Sequence, residues 1–284
     1  MPRLGSRVQV PSPAPFFMLA IISGSGNLPA IVQGILLNRG ENVLIIDIFG
    51  NEKISAPNNV LYRMNIGQIG KILKLLGQHK IDELLFIGGL SRPSFRNLHF
   101  DLTGLYWYFR IYKNMKKGDN NLLTTILNML RKRGFKIRSI PDTAPELLAR
   151  LDDSCLPLSK QNLKDIEIGE KILNDLSKHD IGQAIVIQNG LVLGIEAIEG
   201  TDNLLRRVKS LKRDTKTGGV LVKLPKVNQT DLADLPTIGP DTILNAKDAA
   251  LDGIAIKANK TIIVDRQQTM ELAKKFNIFI KVIN

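Results

Sequence analysis

Short apolar runs alternate with amphipathic segments through the first half of the chain, a pattern typical of β-α-β folds. The runs at residues 19–23, 42–48 and 82–87 are almost continuously apolar and predict strands that are buried on both faces. Helices are predicted from Pro29 to about residue 38 and over residues 66–79, where apolar residues form one stripe. We therefore expect a parallel, Rossmann-like sheet in this half.

The N-terminal domain is completed by a helix over residues 122–133 and a strand over residues 135–140, with Asp119 or Asn120 as the helix cap. Residues 141–160 carry three prolines and little periodicity, which indicates a domain boundary. We predict a tail at 1–17, a Rossmann-like domain at 18–145, a linker at 146–160 and a C-terminal catalytic domain at 161–284.

The second half predicts a mixed α/β domain. Residues 184–188 and 191–195 flank Asn189-Gly190, which is the sequence of a hairpin with a two-residue type I′ turn. Further strands are expected at 220–222, 253–256 and 261–264, and helices at 163–178, 203–211 and 242–251. A last helix should follow Asp265, which together with Gln268 resembles a capping pattern.

The first 17 residues do not resemble part of a fold. They are rich in proline, contain no acidic residue and have no long apolar segment of the kind found in secretory signals. Met18 stands directly before the first apolar strand. We therefore expect a disordered tail or a misplaced start codon, and a chain beginning at Met18 that is folded and active.

Charge and composition narrow the classes of partner and cofactor. The net charge is +12 with a pI near 9.7, which favours a nucleotide, a nucleic acid or an anionic membrane as partner. Aromatic residues make up only 5% of the chain, and no stacking motif supports an RNA-binding function. One cysteine and three histidines exclude an internal disulfide and the usual zinc sites, so any metal should be Mg²⁺ or Mn²⁺.

Two glycine turns follow predicted parallel strands, where open α/β sheets bind ligands. Gly24, Gly26 and Asn27 precede a helix N-terminus that could receive a phosphate, although a plain tight turn has the same sequence. Pro29 stands where the dinucleotide fingerprint has its third glycine, which disfavours NAD. In the second turn, Arg92 is either a phosphate contact or an ordinary surface residue.

Carboxylates occur on two segments of the C-terminal domain. Glu196 lies in a largely apolar strand, where a carboxylate must be paired or bind a cation. Asp202 or Thr201 would cap the following helix, and Glu199 and Asp202 could serve only the turn. A loop interrupted by prolines then carries further candidate residues: Gln229, Thr230, Asp231, Asp234, Thr237, Gly239 and Asp241.

These segments together resemble the UDP-2,3-diacylglucosamine pyrophosphatase family of the LpxI type. The resemblance is carried by Gly24-Ser-Gly-Asn-Leu-Pro29, Glu196-Ala-Ile-Glu-Gly-Thr-Asp202 and Asp234-Leu-Pro-Thr-Ile-Gly239. Four shorter motifs match in order and spacing: residues 88–93, 117–119, 180–183 and 264–266. The similarity extends from Met18 to the C-terminus.

The resemblance implies a magnesium-dependent hydrolase of lipid A biosynthesis that works in the cytoplasm at the inner face of the inner membrane. Such enzymes split UDP-2,3-diacylglucosamine into UMP and 2,3-diacylglucosamine 1-phosphate (lipid X), with substrate held between two α/β domains. The family's critical aspartate falls on Asp234. Many members have arginine two residues earlier, where this chain has Leu232, so Lys223 or Lys226 would supply a phosphate contact.

The expected site combines these residues with the resemblance. Asp234 is the expected catalytic residue, and Asp234, Glu196 and Asp202 are the expected ligands of Mg²⁺ or Mn²⁺. The expected substrate contacts are Gly24, Gly26, Asn27, Arg92, Lys117, Asp119, Thr201, Gln229, Thr237 and Gly239. A homodimer is one option, and the rival interpretation is a non-catalytic module that binds a nucleotide sugar or NAD.

Overall fold

The computed structural model describes residues 19–54, 60–89, 99–112, 119–179, 181–212, 218–226 and 235–284. The expected tail at 1–17 lies outside these residues. Within them the chain forms two five-stranded sheets and one two-stranded sheet. None of the helices described there combines the length and the apolar character needed to cross a bilayer.

The N-terminal sheet is wholly parallel, as predicted. Its strands are β1 (Leu19–Ser23), β2 (Val43–Asp47), β3 (Val60–Arg63), β4 (Glu83–Ile87) and β5 (Lys136–Arg138). They lie in the order β3-β2-β1-β4-β5. The half-buried edge strand β3 was not predicted, because its four residues do not form a continuous apolar run.

Helices cover both faces of this sheet. They are α1 (Leu28–Asn38), α2 (Ile69–Gln78), α3 (Leu102–Tyr112), α4 (Asp119–Arg131) and α5 (Ile140–Thr143). Buried residues of α2, α3 and α4 pack in one cluster with Ala20 and Ile22, whereas α1 and α5 pack with Leu19 and Ile21. The helix α3 was not predicted, and α4 begins at Asp119, so Asp119 and Asn120 lie inside the helix instead of capping it.

The two glycine turns contact each other directly at the carboxyl ends of β1 and β4. The Gly24 N–H donates to the Ile87 carbonyl at 2.7 Å, and Ser25 and Gly89 exchange backbone hydrogen bonds of 2.9 and 3.0 Å. A Cβ added to Gly24 would lie 2.6 Å from the Gly89 carbonyl oxygen. Gly88 adopts a φ of +96°. Glycine is required here because the two backbones approach too closely for a side chain.

The C-terminal domain is mixed α/β, as predicted, and its sheet has helices on both faces. Its strands are β6 (Ala184–Gln188), β7 (Leu191–Ile195), β8 (Val220–Lys223), β10 (Gly253–Lys257) and β12 (Phe279–Ile283), in the order β12-β10-β8-β6-β7. Only β6 runs antiparallel to the others. The predicted hairpin is confirmed, because Asn189 and Gly190 both have positive φ, as a type I′ turn requires.

The helices of this domain are α6 (Lys160–Ser177), α7 (Gly200–Leu211), α8 (Pro240–Asp248) and α9 (Arg266–Lys275). The capping prediction for α7 is wrong, and the one for α9 holds only for the position of Asp265 at the cap. The helix α7 begins at Gly200, so Thr201 and Asp202 lie in its first turn and Glu199 occupies the cap position. Asp265 precedes α9 with a φ of 44°, but its side chain makes no capping hydrogen bond.

A two-stranded parallel sheet, which we call the junction ribbon, joins the domains. It consists of β9 (Thr237–Ile238) and β11 (Ile262–Ile263). Ile238 and Ile263 are buried in the core of the C-terminal domain. Leu235, Ile262 and Val264 belong instead to the cluster that contains α1 and β1. The ribbon therefore has one apolar face in each domain, as the alternation of side chains along a strand allows.

Polar contacts reinforce the junction. Arg266 donates to the carbonyl oxygens of Leu148 at 2.6 Å and Glu146 at 3.0 Å, and also pairs with Asp153. The Glu146 carboxylate in turn accepts two hydrogen bonds from Arg39, which directly follows α1, at 2.6 and 2.7 Å. The segment after α5 is thus tied to both domains.

The glycine contact generates a test of the N-terminal fold. Gly24→Ala should lower the free energy of unfolding by about 1–3 kcal/mol, because the new methyl group meets backbone atoms that cannot move away. Gly34→Ala is the control: it lies within α1 with nothing within 4 Å of the added Cβ, and should raise stability by about 0.5–1 kcal/mol. Urea unfolding measures both, and equal effects would contradict this packing.

Candidate active site

Polar residues gather at one edge of the C-terminal sheet. The strands β7 and β8 run in the same direction, so both end at this edge, where the antiparallel β6 begins. Glu196 directly follows β7, Lys223 is the last residue of β8, and Gln183 directly precedes β6. Carboxyl ends of parallel strands are where open α/β sheets bind their ligands, and this edge is therefore the candidate site.

A continuous hydrogen-bonded chain links these residues. One oxygen of Glu196 accepts from the Thr201 hydroxyl at 2.6 Å, and the other accepts from the Gln183 N–H at 2.8 Å. The Lys223 ammonium donates to the same hydroxyl oxygen at 2.9 Å and to the Thr237 carbonyl at 2.9 Å. Both carboxylate oxygens of Glu196 thus have hydrogen-bond partners, as expected for a carboxylate beside an apolar strand. The hydroxyl of Thr201 joins a carboxylate to an ammonium group.

The neighbouring carboxylates of Glu199 and Asp202 make contacts outside this chain of hydrogen bonds. Glu199 accepts from its partner Arg207 at 2.8 Å and from the Ala197 N–H at 3.2 Å. Hydrogen bonds from its own backbone N–H and from Arg207 hold the pKa of Glu199 below its usual value. Asp202 is exposed and accepts from the Asn245 side chain at 2.8 Å, which connects α7 to α8. Glu199 therefore stabilises the turn between β7 and α7, and Asp202 links α7 to α8.

The described residues do not test the expected set of metal ligands. Across those residues, no three His, Cys, Asp or Glu side chains form a group that could hold a metal ion. Glu196 and Asp202 each have a hydrogen-bond partner, although carboxylate oxygens retain further lone pairs. A metal site at this edge would depend on Asp234, which lies outside the described residues, so the ligand set stays a prediction.

The loop that carries Asp234 leads into the junction ribbon. Gln229, Asp231 and Asp234 lie outside the described residues, and the description resumes at Leu235, which is 8% exposed within the N-terminal cluster. Thr237 offers its carbonyl to Lys223 and donates its hydroxyl to the Leu235 carbonyl at 3.1 Å. Gly239 precedes α8, with its N–H donating to the Thr242 hydroxyl at 3.2 Å. The structure thus brings Thr237 to Glu196 and Thr201 through Lys223.

The glycine turn after β1 forms a second polar edge. The Asn51 amide donates to the carbonyls of Gly24 at 3.1 Å and Gly26 at 2.8 Å, and the buried Asp47 carboxylate accepts from the Asn51 N–H at 2.7 Å. Asn27 is exposed and accepts from the Lys53 ammonium. Asn51 therefore holds the turn in shape, and Lys53 places a positive charge beside it.

Three predicted residues cannot be assigned to either edge, because they or their side chains are outside the described part of the chain. Arg92 and Lys117 lie outside the described residues, as does the side chain of Asp119, whose backbone opens α4. Lys53 and Asn51 were missed by sequence reasoning, although both follow β2 and so share the edge of the glycine turn. Lys223 was suggested only as a replacement phosphate contact.

Comparisons with known proteins agree on one family. The family model described as the LpxI N-terminal domain matches residues 18–147, and that described as the LpxI C-terminal domain matches residues 154–281. A UDP-2,3-diacylglucosamine pyrophosphatase LpxI of Caulobacter vibrioides is 33% identical over 268 residues. That alignment covers 92% of this chain and 96% of the relative.

The position of Thr201 between two charged groups predicts a stability effect. Thr201→Val keeps the shape of the side chain but removes the hydroxyl, leaving Glu196 and Lys223 each without one partner. We expect a loss of about 1–3 kcal/mol in the free energy of unfolding, measured with urea. Thr201→Ser retains the hydroxyl and should lose clearly less. A valine variant as stable as the wild type would show that this chain of hydrogen bonds is absent in solution.

Proposed function

Because this chain belongs to the LpxI family, we propose that it hydrolyses the pyrophosphate of UDP-2,3-diacylglucosamine to UMP and 2,3-diacylglucosamine 1-phosphate. This reaction is a step of lipid A biosynthesis. The Caulobacter relative supports the proposal through its name and through an alignment that spans both domains. The structural observation that carries it is the ammonium of Lys223, held at the carboxyl edge of a sheet by Thr201 and Thr237.

Pyrophosphate hydrolysis requires positive charge more than covalent chemistry by the protein. Water attacks one phosphorus, the bond from that phosphorus to the bridging oxygen breaks, and the departing phosphate takes the electron pair. Lys223 provides a fixed cation at the site, and the N-terminus of α7 adds a favourable dipole beside Thr201. Because the Thr201 hydroxyl donates its proton to Glu196, a lone pair of the Thr201 oxygen is left to accept from Lys223.

Asp234 is the proposed catalytic carboxylate. In sequence it directly precedes the buried Leu235 and then Pro236, whose ring restricts the backbone. An ionised carboxylate at such a position can accept a proton from water or hold a cation. Arg92, Lys117, Asp119, Gln229 and Gly239 remain proposed substrate contacts.

We propose Mg²⁺, or Mn²⁺, as the cofactor. Magnesium usually binds through one or two carboxylates together with substrate phosphates, so Asp234 with Glu196 or Asp202 would suffice. Bound there, the ion would neutralise phosphate oxygens during hydrolysis. Among the chain's own residues, Lys223 would contact the phosphate, and Glu196 positions Lys223 through the Thr201 hydroxyl.

The N-terminal edge is the proposed site for the remaining polar part of the substrate. Gly26 is exposed with a φ of +94°, and Asn27 and Lys53 stand beside it. Backbone N–H groups at a helix start and one lysine suit a nucleotide phosphate. Because the substrate carries two acyl chains, we further propose that the enzyme acts in the cytoplasm at the inner face of the inner membrane. Homodimerisation stays a prediction.

The role of Asp234 is tested by substitution. Asp234→Ala should lower turnover about a hundredfold or more, in line with loss of a metal ligand or an oriented base. Substrate affinity should largely survive, because removing a negative charge relieves repulsion with the pyrophosphate. Asp231→Ala, three residues earlier, is the control and should be mild. Normal turnover in the first variant and an inactive second variant would mean that the catalytic carboxylate is misassigned.

Metal dependence is tested separately. Turnover should disappear when the protein is treated with EDTA and return on addition of Mg²⁺ or Mn²⁺, since carboxylates and phosphates prefer such hard cations. Zn²⁺ should not substitute fully, because the chain has few soft ligands. Undiminished turnover in metal-free protein would show that Lys223 and other basic residues neutralise the phosphates alone.

A further inference from the structure

One helix of the N-terminal domain exposes an apolar stripe. Four large side chains of α3 recur at i, i+3, i+4 and i+7 and are largely exposed: Leu102 at 89%, Leu105 at 41%, Tyr106 at 55% and Phe109 at 58%. Phe100, just before the helix, is 37% exposed. Large apolar side chains scattered singly are normal on protein surfaces, but a continuous helical stripe indicates a binding face.

The opposite side of α3 is packed firmly, so the stripe is held outward. Trp107 is 2% exposed within the apolar cluster under the sheet. Gly104 lies so close to the loop after β3 that an added Cβ would overlap the Gly67 carbonyl oxygen. The Asp101 carboxylate accepts from the Gly104 N–H at 2.7 Å and from the Lys71 N–H at 3.0 Å. The orientation of α3 is therefore fixed by the rest of the domain.

The stripe begins at the ligand edge of the N-terminal sheet. Asn65 and Gly67 follow β3 at its carboxyl end, and the Asp101 N–H donates to the Gly67 carbonyl at 3.3 Å. All five strands of this sheet are parallel, so the glycine turn after β1 lies at the same edge. Leu102 therefore projects from the edge that carries Gly26 and Asn27.

Positive charge surrounds the stripe. Arg110 is exposed and donates to the Tyr106 hydroxyl at 2.8 Å. The neighbouring helices α2 and α4 and the turn after α4 expose further cations: Lys71, Lys74, Arg131, Lys132 and Arg133. Neither α2 nor α3 contains an acidic residue. Burial raises the pKa of Asp101, but hydrogen bonds from Gly104 and Lys71 outweigh it and keep that pKa below its usual value. Asp101 is thus an ionised group engaged with backbone N–H groups, and the charged side chains of α2 and α3 are all basic.

We propose that α3 lies in the surface of an anionic phospholipid bilayer. Leu102, Leu105, Tyr106 and Phe109 would enter the acyl region, and the surrounding basic residues would contact headgroup phosphates. An apolar stripe with a basic rim is the chemistry that such a surface selects, whereas a second copy of the same face would bring like charges together. The inference deepens the proposed function, because a diacylated substrate resides in a bilayer.

Vesicle binding without substrate tests this inference by itself. The full chain should co-sediment with vesicles of phosphatidylethanolamine and phosphatidylglycerol, more weakly at high salt, and bind poorly to pure phosphatidylcholine. The double variant Leu102→Ser/Phe109→Ser should lose about tenfold or more of this binding, because two inserted side chains lose their apolar area. The control Leu163→Ser/Leu191→Ser removes side chains that are 43% and 48% exposed on the C-terminal domain and should bind normally.

Further measurements distinguish an error in the membrane-binding inference from an error in the proposed function. Thermal unfolding should show both double variants folded, and hydrolysis of substrate dispersed in detergent micelles should be unchanged by the α3 variant. Wild-type protein that ignores anionic vesicles, or an α3 variant that binds them as tightly, would overturn the inference. The inference would also be overturned if the wild type formed a dimer that the α3 variant disrupts and the control variant does not. In that case a second copy of the chain would cover the stripe. Absence of hydrolysis with intact vesicle binding would refute the proposed function alone.

Discussion

The apolar packing of the junction ribbon between the two domains is the constraint on which the candidate site depends. Its two strands are only two residues long each, yet they bury Ile238 and Ile263 in one core and Ile262 in the other, where Leu235, two residues before β9, is also buried. Fully burying side chains of this size contributes roughly 1.5–3 kcal/mol each. The ribbon therefore fixes the relation of the domains and the point where the loop carrying Asp234 returns to the core.

The same ribbon completes the polar cluster. The Thr237 carbonyl in β9 accepts a hydrogen bond from the Lys223 ammonium. The same ammonium donates to the Thr201 hydroxyl, which in turn donates to Glu196. Carboxylate and ammonium are thus held apart by one hydroxyl instead of forming a direct ion pair. The ammonium group of Lys223 lies at the sheet edge, and its position is set by residues from three segments. Such preorganised charge is what phosphate chemistry requires.

Sequence reasoning succeeded where burial imposes a simple pattern. The strands β1, β2 and β4 are continuous apolar runs, and Asn189-Gly190 specifies the hairpin turn. The helix α3 could not be found this way, because apolar residues occur on both its packed and its exposed faces, which removes the single stripe expected of a core helix. Glu196 and Thr201 were both selected, but their link to Lys223 arises from the strand order, which periodicity does not encode.

The most direct measurement is the identity of the products. Purified protein incubated with UDP-2,3-diacylglucosamine and Mg²⁺ should release UMP and 2,3-diacylglucosamine 1-phosphate in equal amounts, resolved by mass spectrometry, and none should appear without protein. Hydrolysis in ¹⁸O-labelled water would in addition show which phosphorus is attacked, because only that product gains the label. Release of UDP and free diacylglucosamine, or recovery of intact substrate bound to the protein, would contradict a pyrophosphatase built around Lys223 and Asp234.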